Sequence, residues 1–293
     1  MTLSRGIYQI KNTGVLVAMD LYNGSNADGT AIKGWSFGDG TKLNWNQLWL
    51  VEPVTGKTDT FTVRSLIGGT YMDLTGGSSA NETPITGSRR TGTNQEWIIK
   101  NSADNKSYKM MNSASRTFAD LYNGGSLDGT PIYGWKGDFN NNQPHQCWFF
   151  KRMSLSSAQV NTVIKNNPHL STQYRGYQTD GEYLILPRYH WQEIWNTTGL
   201  SKGNKKWRRE IFDCDDFALV MKSAVAEWGA DKWRADGFAV FCGLMLGTSR
   251  TKPGAAHAYN FTISDDHTKV VFFEPQANKF MDDIGYDAYL AYF

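Results

Sequence analysis

Gln47-Leu48-Trp49, Gln95-Glu96-Trp97 and Gln146-Cys147-Trp148 repeat one Gln-X-Trp tripeptide, and their phase decides the fold of the first half of the chain. Each closes a longer shared unit. The first reads Met19-Asp20-Leu21-Tyr22-Asn23-Gly24, then Asp28-Gly29-Thr30-Ala31-Ile32-Lys33-Gly34-Trp35, then Asn46 before the tripeptide. The second reads Met72-Asp73-Leu74, then Glu82-Thr83-Pro84-Ile85-Thr86-Gly87-Ser88, then Asn94. The third reads Ala119-Asp120-Leu121-Tyr122-Asn123-Gly124, then Asp128-Gly129-Thr130-Pro131-Ile132-Tyr133-Gly134-Trp135, then His145. The period is about 50 residues, within the range of repeat architectures. Short alternating runs such as Ile7-Tyr8-Gln9-Ile10 and Phe61-Thr62-Val63-Arg64 are broken by Gly, Asn and Asp turns, and helical periodicity is absent. This pattern predicts an all-β unit of pseudo-threefold symmetry over residues 1–152, with Trp49, Trp97 and Trp148 in a shared core.

Beyond residue 152 the pattern changes, and residues 153–293 read as a separate α+β domain. Ser156 to Ile164 has helical spacing behind serine caps, and Pro187 to Asn196 reads as a second helix. Asp213 to Trp228 is the clearest helix, with Phe217, Met221, Ala224, Val225 and Trp228 on one face and Gly229 in the C′ position. Apolar runs over 238–246, 258–263 and 270–273 read as strands. A net charge of +2 with both signs interspersed gives no basic stripe, which argues against nucleic acid as a partner. Cys147, Cys214 and Cys242 are too few and too odd in number for a disulfide framework, so a reducing compartment is expected. Met1-Thr2-Leu3-Ser4-Arg5-Gly6 leads into no apolar run, and no segment is long enough to span a bilayer. The expectation is a cytoplasmic chain with no signal peptide.

Within each repeat an Asp, an aromatic and an Asn/His-Gln pair recur at fixed offsets. A carboxylate accepts hydrogen bonds from adjacent sugar hydroxyls, an indole face covers the apolar side of a pyranose, and an amide or imidazole donates to a third hydroxyl. Copies one and three hold the whole set, whereas copy two has Ser88 where the others have Trp35 and Trp135. The same residues also suit a purely structural role in the core. On its three Gln-X-Trp signatures the region resembles the ricin B-type β-trefoil lectins. That resemblance implies galactose or N-acetylgalactosamine recognition by Asp20, Trp35, Asn46 and Gln47, and by Asp120, Trp135, His145 and Gln146. The middle set, Asp73, Asn94 and Gln95, lacks the stacking ring.

In the second region Asp213-Cys214-Asp215-Asp216-Phe217 places a cysteine at a helix start, where the helix dipole favours a thiolate. The flanking aspartates disfavour that anion, an objection that a bound cation removes. Asp215 and Asp216, with Glu182, offer hard oxygen ligands of the kind Ca²⁺ takes. Downstream, Ala255-Ala256-His257-Ala258-Tyr259-Asn260 opens a strand with a histidine, and Val271-Phe272-Phe273-Glu274-Pro275-Gln276 ends one on a carboxylate. A nucleophile on a helix, a base on one strand and an orienting acid on the next form a Cys-His-Glu arrangement for acyl transfer, although sequence order alone also fits unrelated residues. Cys242 and Cys147 read as buried thiols.

These motifs, with Thr179-Asp180-Gly181-Glu182-Tyr183-Leu184, Lys206-Trp207-Arg208 and Trp228-Gly229-Ala230, make the whole chain similar to the chimeric mushroom lectins of the Marasmius oreades agglutinin type. The resemblance implies a trefoil joined to a papain-like domain that also forms the homodimer. It also implies calcium-dependent cysteine endopeptidase activity, with Cys214 as nucleophile, His257 as general base, Glu274 orienting the imidazole and Trp207 lining the site. The expected function is a fungal defence toxin that recognises glycans ending in galactose or N-acetylgalactosamine. The alternative is a pure lectin whose second domain only dimerises.

Overall fold

The computed structural model describes residues 3–90, 92–203 and 205–293. They form two compact units, one running to Met153 with the short segment Trp233–Asp236 added, the other made of Ser154–Lys232 and Gly237–Phe293. Arg234 and Ala235 of the added segment donate their backbone N–H groups to the Leu66 carbonyl, at 3.0 and 3.1 Å. No periodicity in the sequence marks that segment as part of the first unit.

The first unit is a 12-stranded assembly. Copy one supplies β1 (Gly6–Asn12), β2 (Val17–Leu21), β3 (Thr30–Ser36) and β4 (Leu48–Pro53). Copy two supplies β5 (Thr60–Ser65), β6 (Tyr71–Leu74), β7 (Thr83–Ser88) and β8 (Trp97–Asn101). Copy three supplies β9 (Tyr108–Asn112), β10 (Phe118–Leu121), β11 (Thr130–Trp135) and β12 (Trp148–Arg152). The outer strands of each copy pair around a closed ring, β1–β4–β5–β8–β9–β12–β1, all antiparallel. The hairpins β2–β3, β6–β7 and β10–β11 meet in a triangular cap through β3–β7, β7–β11 and β11–β3. A six-stranded barrel closed by three such hairpins is a β-trefoil. Trp49, Trp97 and Trp148 are fully buried in its core, as the phase of the repeats predicts.

Two sets of contacts close the triangle, each passing from one copy to the next. Asp128 accepts the Ser36 N–H at 2.6 Å, Asp28 the Arg89 N–H at 2.8 Å, and Asn81 the Lys136 N–H at 2.9 Å. At the centre, Gly34, Gly87 and Gly134 lie under Leu121, Leu21 and Leu74. A Cβ on these glycines would stand 2.7, 2.8 and 2.5 Å from a leucine methyl.

The second unit has a six-stranded sheet, β14-β21-β17-β18-β19-β20, and a small three-stranded sheet, β13-β15-β16. In chain order these are β13 (Ser154–Ser156), α1 (Ser157–Lys165), β14 (Leu170–Tyr177), β15 (Glu182–Leu184), α2 (Arg188–Thr197) and α3 (Cys214–Lys232). Then follow β16 (Ala239–Val240), β17 (Gly243–Ser249), β18 (Ala256–Ile263), β19 (Val270–Glu274), β20 (Lys279–Met281) and β21 (Tyr286–Tyr292). Ser156 caps α1 in a capping box with Gln159. Two expectations need correction. The helix from Cys214 does not stop at Gly229: that residue is buried on the packed face, and the helix runs on to Lys232. The apolar run 238–246 is not one strand but two, separated at the fully buried Phe241 and Cys242.

The glycine–leucine contacts generate a stability prediction. Gly134→Ala will lower the stability of the trefoil by about 1–3 kcal/mol, the usual range for overpacking a close-packed core. The check is the denaturant midpoint of the variant, and an unchanged midpoint would show that Leu74 yields freely.

Candidate glycan sites and a cysteine–histidine–glutamate cluster

Each trefoil copy buries one aspartate on the last but one residue of its β2-type strand, and the tripeptide holds it twice. The indole N–H of Trp49, Trp97 and Trp148 donates to the carbonyl just before that aspartate, Met19, Met72 and Ala119, at 3.0, 2.9 and 3.0 Å. The glutamine then donates to the carboxylate: Gln47 to Asp20 at 3.2 Å, Gln146 to Asp120 at 2.9 Å, and Gln95 to Asp73. Gln47 and Gln146 have a second acceptor in the Ser36 and Lys136 carbonyls. All three glutamines are 0–2 % exposed and hold the aspartates from behind, and Gln146 also reaches the lining of the copy-three cleft.

The residues that face outward differ between copies. In copy one Trp35 and Asn46 are half-buried around Asp20, with the Tyr22 ring 6.3 Å from Trp35 and Asn44 donating to Asp20 at 3.1 Å. In copy three Trp135 and His145 line a cleft of about 320 Å³ with Asp120, and Tyr122 stands 6.4 Å from Trp135. Copy two keeps the Asn94–Asp73 bond at 2.8 Å but has Thr75 and Ser88 where the others have tyrosine and tryptophan. Its neighbouring arginines are engaged, Arg89 with Asp28 and Arg90 with Glu96. The turn after each aspartate carries two residues in the left-handed region, Asn23-Gly24, Gly76-Gly77 and Asn123-Gly124. Asn and Gly tolerate that conformation best, which explains their recurrence there. Sequence reasoning missed Asn44 and the tyrosines as members of the site, although both tyrosines stand in the quoted repeats.

In the second unit Cys214 begins α3 and is half-buried. It packs on a small cluster of Ala218, Leu244 and Ala258, with Ala258 adjacent to His257 on β18. His257 Nε2 lies 2.6 Å from Glu274 Oε2, and both side chains are 15 % exposed. The buried amide of Asn260, also on β18, donates to the Ala218 carbonyl of α3 at 3.0 Å and to Gly243 at 3.2 Å, fixing the helix against the strand. The sequence reading gave Asn260 no role. The other two thiols are buried, and burial pushes Cys242 up to about 12 and Cys147 upward as well. Trp207 is 55 % exposed.

The acidic residues around Cys214 have distinct positions. Among the described residues, ligand atoms of Asp213, Cys214 and Asp215 lie within 4.8 Å of one another. The Asp213 carboxylate pushes Asp215 upward through a shared hydrogen bond, while Asp213 itself is lowered. Asp216 is already used at the helix start, accepting the Asp213 N–H at 3.0 Å. Glu182 is buried on β15 and accepts from the Ser154 hydroxyl. The structure therefore draws Asp215 together with Asp213, and gives Glu182 and Asp216 other hydrogen-bond partners.

Residues 45–135 match the ricin-type β-trefoil lectin domain-like family, and residues 183–280 match the agglutinin C-terminal family. No curated protein matches the chain. Polyporus squamosus lectin, solved bound to the human-type influenza-binding epitope Neu5Acα2-6Galβ1-4GlcNAc, is 38% identical, covers 100% of both chains and has a TM-score of 0.86. A structure described as a PSL1a–E64 complex is 37% identical, also covers 100% of both chains and has a TM-score of 0.87. The chain belongs to this family of mushroom lectins, in which a ricin-type β-trefoil precedes an agglutinin C-terminal domain. It is a carbohydrate-binding agglutinin. No described helix is long and apolar enough to cross a membrane.

Burial raises Asp20 to about 6, against the opposing hydrogen bonds of Gln47, Asn46 and Asn44. Burial raises Asp73 and Asp120 too. For a raised carboxylate the stabilising contribution is full below the ordinary 3.8 and is lost as pH rises through about 6. Binding runs the other way, because sugar hydroxyls donate to the ionised form. Glycan affinity at copy one will therefore fall on acidification from neutral pH through about 6. Calorimetric titration across that window checks this, and a flat affinity would show that Asp20 accepts no sugar hydroxyl.

Proposed function

We propose that copies one and three bind glycans ending in galactose or N-acetylgalactosamine. The observation that carries this is the pairing of a clamped, buried aspartate with a half-exposed tryptophan in those two copies and not in the middle one. Such a pair matches a ring with one apolar face and adjacent hydroxyls on its rim. The epitope on Polyporus squamosus lectin contains galactose as its middle sugar, beneath a terminal Neu5Ac, so it supports contact with galactose but not galactose as the terminal residue. Combining Asp20→Ala with Asp120→Ala will abolish haemagglutination while the trefoil still melts cooperatively. A double variant that agglutinates fully overturns the assignment.

We further infer that the second unit is a papain-like cysteine endopeptidase dependent on Ca²⁺, and that the whole is a homodimeric defence toxin delivered by its lectin half. The support is the His257–Glu274 pair at 2.6 Å together with Cys214 at a helix start beside Ala258. With Nε2 engaged by Glu274, Nδ1 is the nitrogen left to act as base. In this reading Cys214 Sγ adds to a peptide carbonyl after giving its proton to His257. The imidazolium, steadied by Glu274, returns that proton to the leaving amine, and water hydrolyses the thioester. Trp207, on the loop ahead of α3, is a candidate contact for substrate. Asp213 and Asp215, two carboxylates pressed together, fit a hard cation; Asp213 also accepts the Glu210 N–H at 3.2 Å, while Asp216 accepts the Asp213 N–H and Glu182 the Ser154 hydroxyl. Bound there, calcium would neutralise the charge that disfavours a thiolate. A relative was solved as an E64 complex, and E64, a thiol-alkylating epoxide, suits a reactive cysteine such as Cys214.

The competing reading is a pure lectin whose second unit only dimerises, and the family match rests on lectins. With calcium present, the wild-type chain will cleave casein; Cys214→Ala will not, yet will bind glycans unchanged. Chelation will silence cleavage and leave agglutination intact. Absence of cleavage by the wild-type chain, or cleavage surviving Cys214→Ala, leaves the dimerising lectin as the function.

A further inference from the structure

We propose that the third trefoil copy has an extended subsite, organised by the buried ammonium of Lys109, that reads a second sugar residue beyond the terminal one. The proposal rests on the glycan-binding reading of copy three. In register with the repeats, Lys109 stands where copy one has Gln9 and copy two has Thr62. Gln9 donates to Gln47 Oε1 at 2.9 Å and so supports the clamp in copy one. Lys109 also reaches its clamp glutamine, Gln146, but only at 3.5 Å. Its main acceptors lie in the loop between β11 and the Gln-X-Trp turn: the Asp138 carbonyl at 2.5 Å and Asn141 Oδ1 at 2.6 Å.

Lys109 is fully buried. A buried ammonium must find acceptors, so the loop is drawn in around it. An ammonium has donors only, so Asn141 has to turn its oxygen inward. The same oxygen accepts the Gln143 N–H at 3.1 Å. The Asn141 amide N–H₂ is thereby left for the cleft, whose wall Asn141 and Gln143 form together with Gly137. Further contacts pin the loop. Phe139 packs edge-on against Phe118 with centroids 4.9 Å apart, and Asn142 accepts the Asp104 N–H at 3.2 Å. A Cβ on Gly137 would run into Gln146 and Phe118, so only glycine lets the loop lie this close to the clamp. The cleft thus carries fixed polar groups outside the Asp120–Trp135–His145 set. Groups held in place before binding add affinity because little freedom is lost when the ligand arrives.

The test uses the full chain with Asp20→Ala and Asp73→Ala, so that binding reports on copy three. Methyl β-galactoside, lactose and N-acetyllactosamine are titrated by calorimetry. At least one disaccharide is expected to bind about tenfold tighter than the monosaccharide, the gain of one well-placed hydrogen bond. Asn141→Ala and Lys109→Gln should each bring that ratio close to one. Should Lys109→Gln fail to fold, Asn141→Ala still decides, because its side chain is exposed. No disaccharide preference, or a preference that survives Asn141→Ala, overturns the subsite while leaving the copy-three site standing. Binding that survives a further Asp120→Ala overturns that site and the subsite with it.

Discussion

Three aspartates are buried in the trefoil, one in each copy, and the Gln-X-Trp tripeptide is what makes their burial tolerable. An unpaired buried charge costs far more than the marginal stability of a domain. Each tripeptide answers with two bonds on opposite sides of one residue. Tryptophan enters the core and ties the carbonyl before the aspartate, while the glutamine two positions earlier ties the carboxylate itself. Backbone and side chain of the aspartate are fixed by the same turn. The placement of each aspartate carboxylate is therefore a consequence of core packing.

The middle copy shows that clamp and recognition surface are separable. It keeps Asp73, Asn94, Gln95 and Trp97 in their places but has lost both rings, Thr75 and Ser88 standing for tyrosine and tryptophan. A lost ring removes a stacking surface at the rim. A lost glutamine would strand a buried carboxylate. The clamp residues persist in all three copies, whereas the rings at the rim and the buried residue behind the clamp, Gln9, Thr62 or Lys109, vary.

How much was legible in the chain follows from the range of the contacts. The repeat, its tryptophan core and the helix starts at Ser156 and Pro187 depend on residues a few positions apart, and each could be read directly. The closure of the triangle could not. Asp128 meets Ser36 across 92 positions and Gly87 lies under Leu21, and neither contact leaves a local pattern. Strands β14 and β21 were also missed. Leu170–Tyr177 carries little buried apolar surface, and its pairing with β21 is parallel, which no hairpin signal announces. Gly229 misled because a buried glycine on a packed helix face looks like a terminator when only the sequence is seen.

The Asp-Cys-Asp-Asp motif shows why the acidic residues were harder to assign than the thiol. Read as chemistry, three aspartates beside a cysteine suggest a cation. Read as structure, two of them are already explained by the helix. The Asp213 carbonyl accepts the first helical N–H, from Phe217 at 3.1 Å, and Asp216 reaches back to the Asp213 N–H. Acidic residues in a first turn also suit the helix dipole. Only the contact between Asp213 and Asp215 is left without a structural reason, since two carboxylates sharing a hydrogen bond repel whenever both are ionised. That residual repulsion sits beside the one thiol of the three that is not buried, against the strand carrying a histidine already paired with a carboxylate. The endopeptidase reading proposed for the second unit rests on this concentration of chemistry at one helix start, not on the presence of any single residue.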